Sequence, residues 1–96
     1  IKPLDTWSVD ARANIAGLRA LAEAGLNNKT KASIAIDEGR KLNKGAVQVL
    51  RSTAILQLAG LLEGDASNTL DTAKSLHPDN PEILLLHAMN DVRNKQ

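Results

Sequence analysis

Alanines recur at a fixed interval in this chain, with Ala20, Ala54 and Ala88 each standing 34 residues from the next. The interval holds over whole segments. Laying residues 31–54 over 65–88 pairs Ala32 with Ala66, Ser33 with Ser67, Asp37 with Asp71, Leu42 with Leu76 and Leu50 with Leu84. Conservative pairs fill the gaps: Ile36 with Leu70, Arg40 with Lys74, and Val49 with Ile83, while one further step back takes Val49 to Ile15. A period of this size is the signature of one supersecondary unit stacked on its copies. An alanine in mid-helix at every period suits a point where paired helices cross at close range.

The residues between the breakers read as helices. Breakers cluster at Pro3, at residues 25–28, 43–45 and 64–65, and at His77-Pro78-Asp79-Asn80-Pro81. They leave five segments with helical periodicity and no β-branched runs. The first runs from Asp5 or Ser8 to Ala24, with Asp5 as a candidate cap, Leu4 and Val9 as a hydrophobic staple, and Ala11, Ile15, Leu18 and Ala22 as its inward stripe. The second runs from Lys29 to Leu42, with Ala32, Ala35, Ile36, Gly39 and Leu42 on one face. The third runs from Gly45 to Glu63 and is apolar on most sides, as expected of a helix with neighbours on two faces. The fourth is capped by Asp65 and carries Ala66, Leu70, Ala73 and Leu76 at helical spacing. The fifth opens at Asn80-Pro81-Glu82, with a capping residue, a proline at the first helical position and an acidic residue at the positive end of the helix dipole. The expected fold class is therefore all-α, five helices in antiparallel helix–turn–helix repeats, forming a single domain over residues 1–96.

This pattern resembles the tetratricopeptide repeat, which has the same period and a helix–turn–helix unit. The resemblance covers about two and a half repeats and is clearest over residues 64–86. With the family's closing proline on Pro78, its small second-helix alanine falls on Ala66, the large residue on Leu70 and the second alanine on Ala73. The small first-helix residue falls on Ala54. The chain departs from the family at Leu50, where the tryptophan would stand, and at Gln57, the tyrosine position. In the upstream copy Lys44 replaces the proline and Gly39 the second alanine.

The resemblance implies an α-solenoid whose first helices line a concave surface that holds a peptide or helix. Carried over residue by residue, that surface comprises Asn14, Gly17, Leu21 and Ala24, then Gln48, Arg51, Ile55 and Leu58, then Glu82, Leu85, Met89 and Val92. An apolar trough with a polar rim suits the apolar face of a partner helix or extended peptide. The family's carboxylate clamp is not reproduced, because its positions hold Gly17, Arg51, Leu21 and Ile55. Arg51 is the cation placed to orient an acidic group. The implied role is a protein-binding adaptor, of the kind found in bacterial assembly, secretion and chaperone-like systems. The alternative is a structural or oligomerisation module of a larger helical-repeat protein. The run Ile83-Leu84-Leu85-Leu86 points in all directions around a helix, which marks this segment as a place for a partner or a twin subunit.

Composition narrows the function classes. With 12 basic against 11 acidic residues the net charge is +1, and the basic residues are scattered rather than gathered on one stripe. Trp7 is the single aromatic residue, so neither phosphate tracking nor base stacking is provided for, and no nucleic-acid partner is expected. The absence of cysteine removes disulfides, thiol catalysis and zinc–thiolate sites, and is compatible with cytoplasm or bacterial periplasm. The longest apolar run, Ile83–Leu86, is far short of the ~18 residues of a membrane span. Ile1 in first place marks a processed product or an excised domain.

No catalytic constellation emerges. His77 and His87 are too far apart across a helix start for one-face metal ligation, and surface or capping roles are expected of them. Asp37, Glu38 and Asp71 fall on exposed faces, with Asp37 supported by Lys41 four residues on. The stretch Asp65-Ala66-Ser67-Asn68-Thr69 is not a calcium loop, because Leu70 and Leu76 occupy the positions of its glycine and bidentate glutamate. No cofactor is expected, and the chain reads as non-enzymatic.

Overall fold

A computed structural model describes residues 8–94. Within them the chain is all-helical: α1 (Val9–Gly25), α2 (Lys29–Asn43), α3 (Val47–Leu58), α4 (Ala66–Leu76) and α5 (Pro81–Asn94). The helices form a slab with extents of 44 × 30 × 17 Å, thin enough for about two helix diameters.

The helix starts follow from capping chemistry. The Ser8 side chain accepts a hydrogen bond from the Ala11 N–H at 3.1 Å, so Ser8 caps α1. The candidate cap Asp5, Leu4 of the expected staple with Val9, and Trp7 lie outside the described residues. Asp65 accepts from Ser67 N–H at 2.8 Å, and Asn80 accepts from the N–H groups of Glu82 and Ile83 at 3.0 and 3.1 Å, as the sequence predicts. α3 ends earlier than the predicted Glu63. Gly60 takes a left-handed conformation at φ 76°, and the Leu61 N–H closes back on the Leu56 carbonyl at 2.8 Å. This Schellman-type ending turns Leu61 back onto the core beside Leu56. Gln57 then holds the turn. Its Nε2 donates to the Glu63 carbonyl at 3.2 Å, and its Oε1 accepts from the Thr69 hydroxyl at 2.6 Å.

Consecutive helices run antiparallel and alternate helices run parallel. Ala20 of α1 packs on Ala32, Ala35 and Ile36 of α2, while Asn43 at the far end of α2 donates to Asp10 at the start of α1. Leu50 of α3, Ala73 of α4 and Ile83 of α5 form one buried cluster, and Ala13, Ala46 and Val49 join α1 to α3 in another. Small residues set the spacing. A Cβ on Gly17 would lie 2.7 Å from the Gln48 carbonyl oxygen, so α1 and α3 are nearly in backbone contact there. A Cβ on Gly39 would lie 2.8 Å from Val49 Cγ2, so α2 and α3 are also closely packed there.

The inward stripe predicted for the first helix is displaced. Ala13, Ala16, Gly17 and Ala20 are the buried residues of α1, whereas Leu18 and Ala22 are exposed and Ala11 and Ile15 half-buried. The physical reason is the crossing distance: α1 meets α2 and α3 through its smallest residues, which leaves its larger aliphatic side chains outside. Asp37 also differs from expectation, lying 3.8 Å from Arg40 in an exposed pair one turn on.

Candidate functional site

The positions that sequence places on a concave surface divide by environment. Those on α1 and at the start of α3 are engaged within the fold. The α3 N-cap is Ala46, which has no side chain able to cap. Asn14, reaching across from α1, accepts the Gln48 N–H at 2.9 Å and supplies the missing cap in trans. Gln48 itself donates to Ser52 Oγ at 3.0 Å along its own helix. Leu21 and Ala24 are half-buried against the cluster formed by Ala20, Ile36 and Leu56.

Arg51 is not left open to orient an incoming acid. Its guanidinium Nε is ion-paired with Glu82, so the α3 and α5 members of the predicted surface neutralise each other. Further along, Arg93 Nη1 donates to the Leu58 carbonyl at 3.2 Å, a second tie between α3 and α5. Ile55 and Leu58 lie half-buried between these two ties in sequence.

α5 is different. Its buried side is Ile83 and Asn90, held on α4 by the Asn90 and Asn94 amides, which donate to Ser67 Oγ at 2.8 and 3.1 Å. His87 adds to this seam: Nε2 lies 2.8 Å from Asp71 of α4 and Nδ1 lies 3.2 Å from Asp91. At about 100° per residue, the side opposite Ile83 and Asn90 carries Leu85, Ala88 and Val92. All three are exposed, and so is Met89 beside them, with Leu85, Met89 and Val92 at 61%, 56% and 60% of full exposure. A surface helix ordinarily turns charge to water on that side. Here the charged residues Glu82, Asp91 and Arg93 stand on the flanks, and the outermost stripe is apolar.

Of the twelve positions of the predicted surface, Glu82, Leu85, Met89 and Val92 are thus exposed, Gly17 is buried, and Asn14, Leu21, Ala24, Gln48, Arg51, Ile55 and Leu58 are half-buried. Ala88, expected from the period to be a close helix crossing, is instead exposed and joins them, because no helix of the described residues lies on that side of α5. The alanines at the two earlier positions of the period are fully buried, so the sequence held no signal that this one would be bare. The sequence reading overlooked a second depression, between α2 and the α3–α4 connection, floored by Ile34, Leu61 and Leu62 and rimmed by Lys29, Asp37 and Arg40. The mixed charge of that rim, with Asp37 and Arg40 paired to each other, marks it as solvated surface.

The two histidines stay apart. The His77 ring nitrogen Nε2 is 2.7 Å from the Gly45 carbonyl and ties the end of α4 to the start of α3, while His87 belongs to the α4–α5 seam. Among the described residues no group of three or more His, Cys, Asp or Glu side chains is placed to hold a metal ion, and no helix is long and apolar enough to cross a membrane. No protein-family model matches the chain, and neither a curated protein nor a solved structure matches it.

Proposed function

We propose that the chain is a non-catalytic protein-interaction module of the tetratricopeptide type, an α-hairpin solenoid that docks an apolar helix or peptide. The observation that carries this reading is the charge-free stripe of Leu85, Ala88, Met89 and Val92 on the side of α5 opposite its buried face. The alternation of antiparallel neighbours and parallel next-neighbours is the arrangement such repeats require, and it agrees with the period of 34 in the sequence. An assembly or chaperone-like setting is the context in which such a module would serve.

The docking element is α5 rather than a trough along all three odd-numbered helices, because Asn14 and Arg51 already have partners inside the fold. The ligand is accordingly an amphipathic helix presenting aliphatic side chains, with no carboxylate requirement.

A short synthetic helix of leucine, alanine and lysine, titrated into the isotope-labelled chain, tests the proposal. Backbone resonance shifts are expected along α5 and not along α2. The double variant Leu85→Lys/Met89→Lys should abolish them while its melting temperature stays within about 3 °C of the parent, since exposed substitutions change stability by about 0.5 kcal/mol or less. Shifts spread evenly over the chain, or unchanged in the double variant, would remove α5 as the docking element.

A further inference from the structure

α5 rests on little apolar burial. Of its 14 residues Ile83 and Asn90 are buried, and Asn90 is polar. A helix held in this way depends on its polar ties. Two of them run to α3, the Arg51–Glu82 ion pair and the bond from Arg93 to the Leu58 carbonyl. The others run to α4, through the Asn90 and Asn94 amides on Ser67 and through His87 on Asp71. Guanidinium groups and amides keep one charge state throughout the neutral range, and an imidazole does not. His87 is thus the tie of α5 that changes charge between about pH 5 and about pH 8.

Both ring nitrogens of His87 face carboxylates. Nε2 lies 2.8 Å from Asp71 Oδ1 on α4, and Nδ1 lies 3.2 Å from Asp91 Oδ2, one turn along α5. An ionised carboxylate accepts hydrogen bonds and donates none. A neutral imidazole carries one N–H, so it satisfies one of these carboxylates and turns a lone pair on the other. An imidazolium carries two and satisfies both. The ring is 18% exposed, so water has little room to replace a lost partner. The other charges around α5 stand apart from this pairing. Glu82 and Arg93 lie about 140° and about 120° round the helix from His87, on the flank that meets α3, where Arg51 holds Glu82. α4 otherwise brings Asp65, which is engaged as its cap, and Lys74, one turn beyond Asp71.

We propose that His87 is a proton-operated latch for α5. Charged, it clamps α5 to Asp71 of α4 with one nitrogen and is braced on Asp91 by the other. Neutral, it keeps one of these contacts and sets a lone pair against the second carboxylate. Stability that depends on both contacts is present below the ordinary imidazole range, near about pH 6.5, and is lost as pH rises through it. α5 is therefore held most firmly in mildly acidic conditions. The latch concerns how α5 is held, and it stands whatever the outer face of the helix binds. His77 supplies an internal control. Its Nε2 faces a carbonyl, the Gly45 oxygen at 2.7 Å, which the single N–H of a neutral ring satisfies as well as a charged ring does.

Amide hydrogen exchange of the 96-residue chain, corrected for intrinsic rates, tests the latch. Protection of the α5 amides should be about three- to tenfold higher near pH 5.5 than near pH 8. The rise should vanish in His87→Gln, shrink in Asp71→Asn and persist in His77→Gln. A further arm needs no variant. In about 0.5 M sodium chloride the rise in the parent should fall by at least half, because Asp71 and Asp91 are both more than half exposed. Equal protection of α5 at the two pH values overturns the proposal. So does a rise that survives His87→Gln or disappears in His77→Gln.

Discussion

The junction of α1 with α3 and the junction of α3 with α5 use related positions in opposite ways. At residue 17 a glycine lets the two backbones meet, so close that a Cβ would sit 2.7 Å from the Gln48 carbonyl oxygen. At the related residue 51 an arginine reaches out to Glu82. At residue 85, one period further, a leucine faces water. The size of one repeated residue thus decides whether consecutive units are welded, tied by side-chain ends or left open. The lesson is that the firm part and the open face of this domain come from one pattern, with small residues where helices cross within the fold and large apolar ones exposed on α5.

The largest effect should come from a residue in the firm part. Ile36 is fully buried where α1, α2 and α3 converge. Ile36→Ala removes buried methyl groups and leaves a cavity, so a loss of about 2–5 kcal/mol is expected in urea unfolding, enough to leave a domain of this size partly unfolded. Leu85→Ala removes a comparable side chain from α5 and should cost no more than about 0.5 kcal/mol at micromolar concentration. Similar losses at the two sites would mean that the α5 stripe is covered in the native chain, and the contrast between the two regions would disappear.

Gly17→Val comes next. The obstacle to the new side chain is backbone, which has nowhere to give without moving α1 off α3. Overpacking of this kind costs about 1–3 kcal/mol, partly offset by the better helix propensity of valine, about 0.3–0.5 kcal/mol over glycine. Thermal unfolding should show a fall of about 2–20 °C for a net loss in this range. A neutral result would show that α1 and α3 are not in backbone contact in solution.

Much of this fold was legible in the sequence, and the exceptions share a cause. The cap at Asp65 and the Asn80-Pro81-Glu82 start are local signals, and they appear where the sequence puts them. The alanine period falls on buried positions at Ala20 and Ala54 but not at Ala88, which is exposed. Helical spacing alone puts Ala11, Ile15, Leu18 and Ala22 inward, whereas close helix crossings select Ala13, Ala16, Gly17 and Ala20. The expected end of α3 at Glu63 overruns because a lone Gly60 outside the breaker clusters takes a positive φ and ends the helix before Gly64-Asp65. The candidate surface was overdrawn for a third reason. Periodicity assigns residues to faces, but it carries no information about pairs between helices, and Asn14 with Gln48 and Arg51 with Glu82 are such pairs.

Asn14 offers the finest test of that distinction, and the smallest effect. An asparagine in mid-helix is a poor helix former, and its place in α1 makes sense only through what it does for α3. By accepting the Gln48 N–H it satisfies one of the donors that Ala46 leaves without a cap. Asn14→Ala should therefore lower stability by about 1 kcal/mol, less any gain in α1 propensity, while leaving helix docking on α5 unchanged. Ala46→Ser places a capping hydroxyl on α3 itself, so it should recover most of the loss in the Asn14→Ala background and add little to the parent. The coupling between the two positions, about 0.5–1 kcal/mol in a double-mutant cycle, is the quantity to measure. If instead Asn14→Ala weakened docking and spared stability, Asn14 would belong to a binding groove and the division between the firm part and the open face would have to be redrawn around α1.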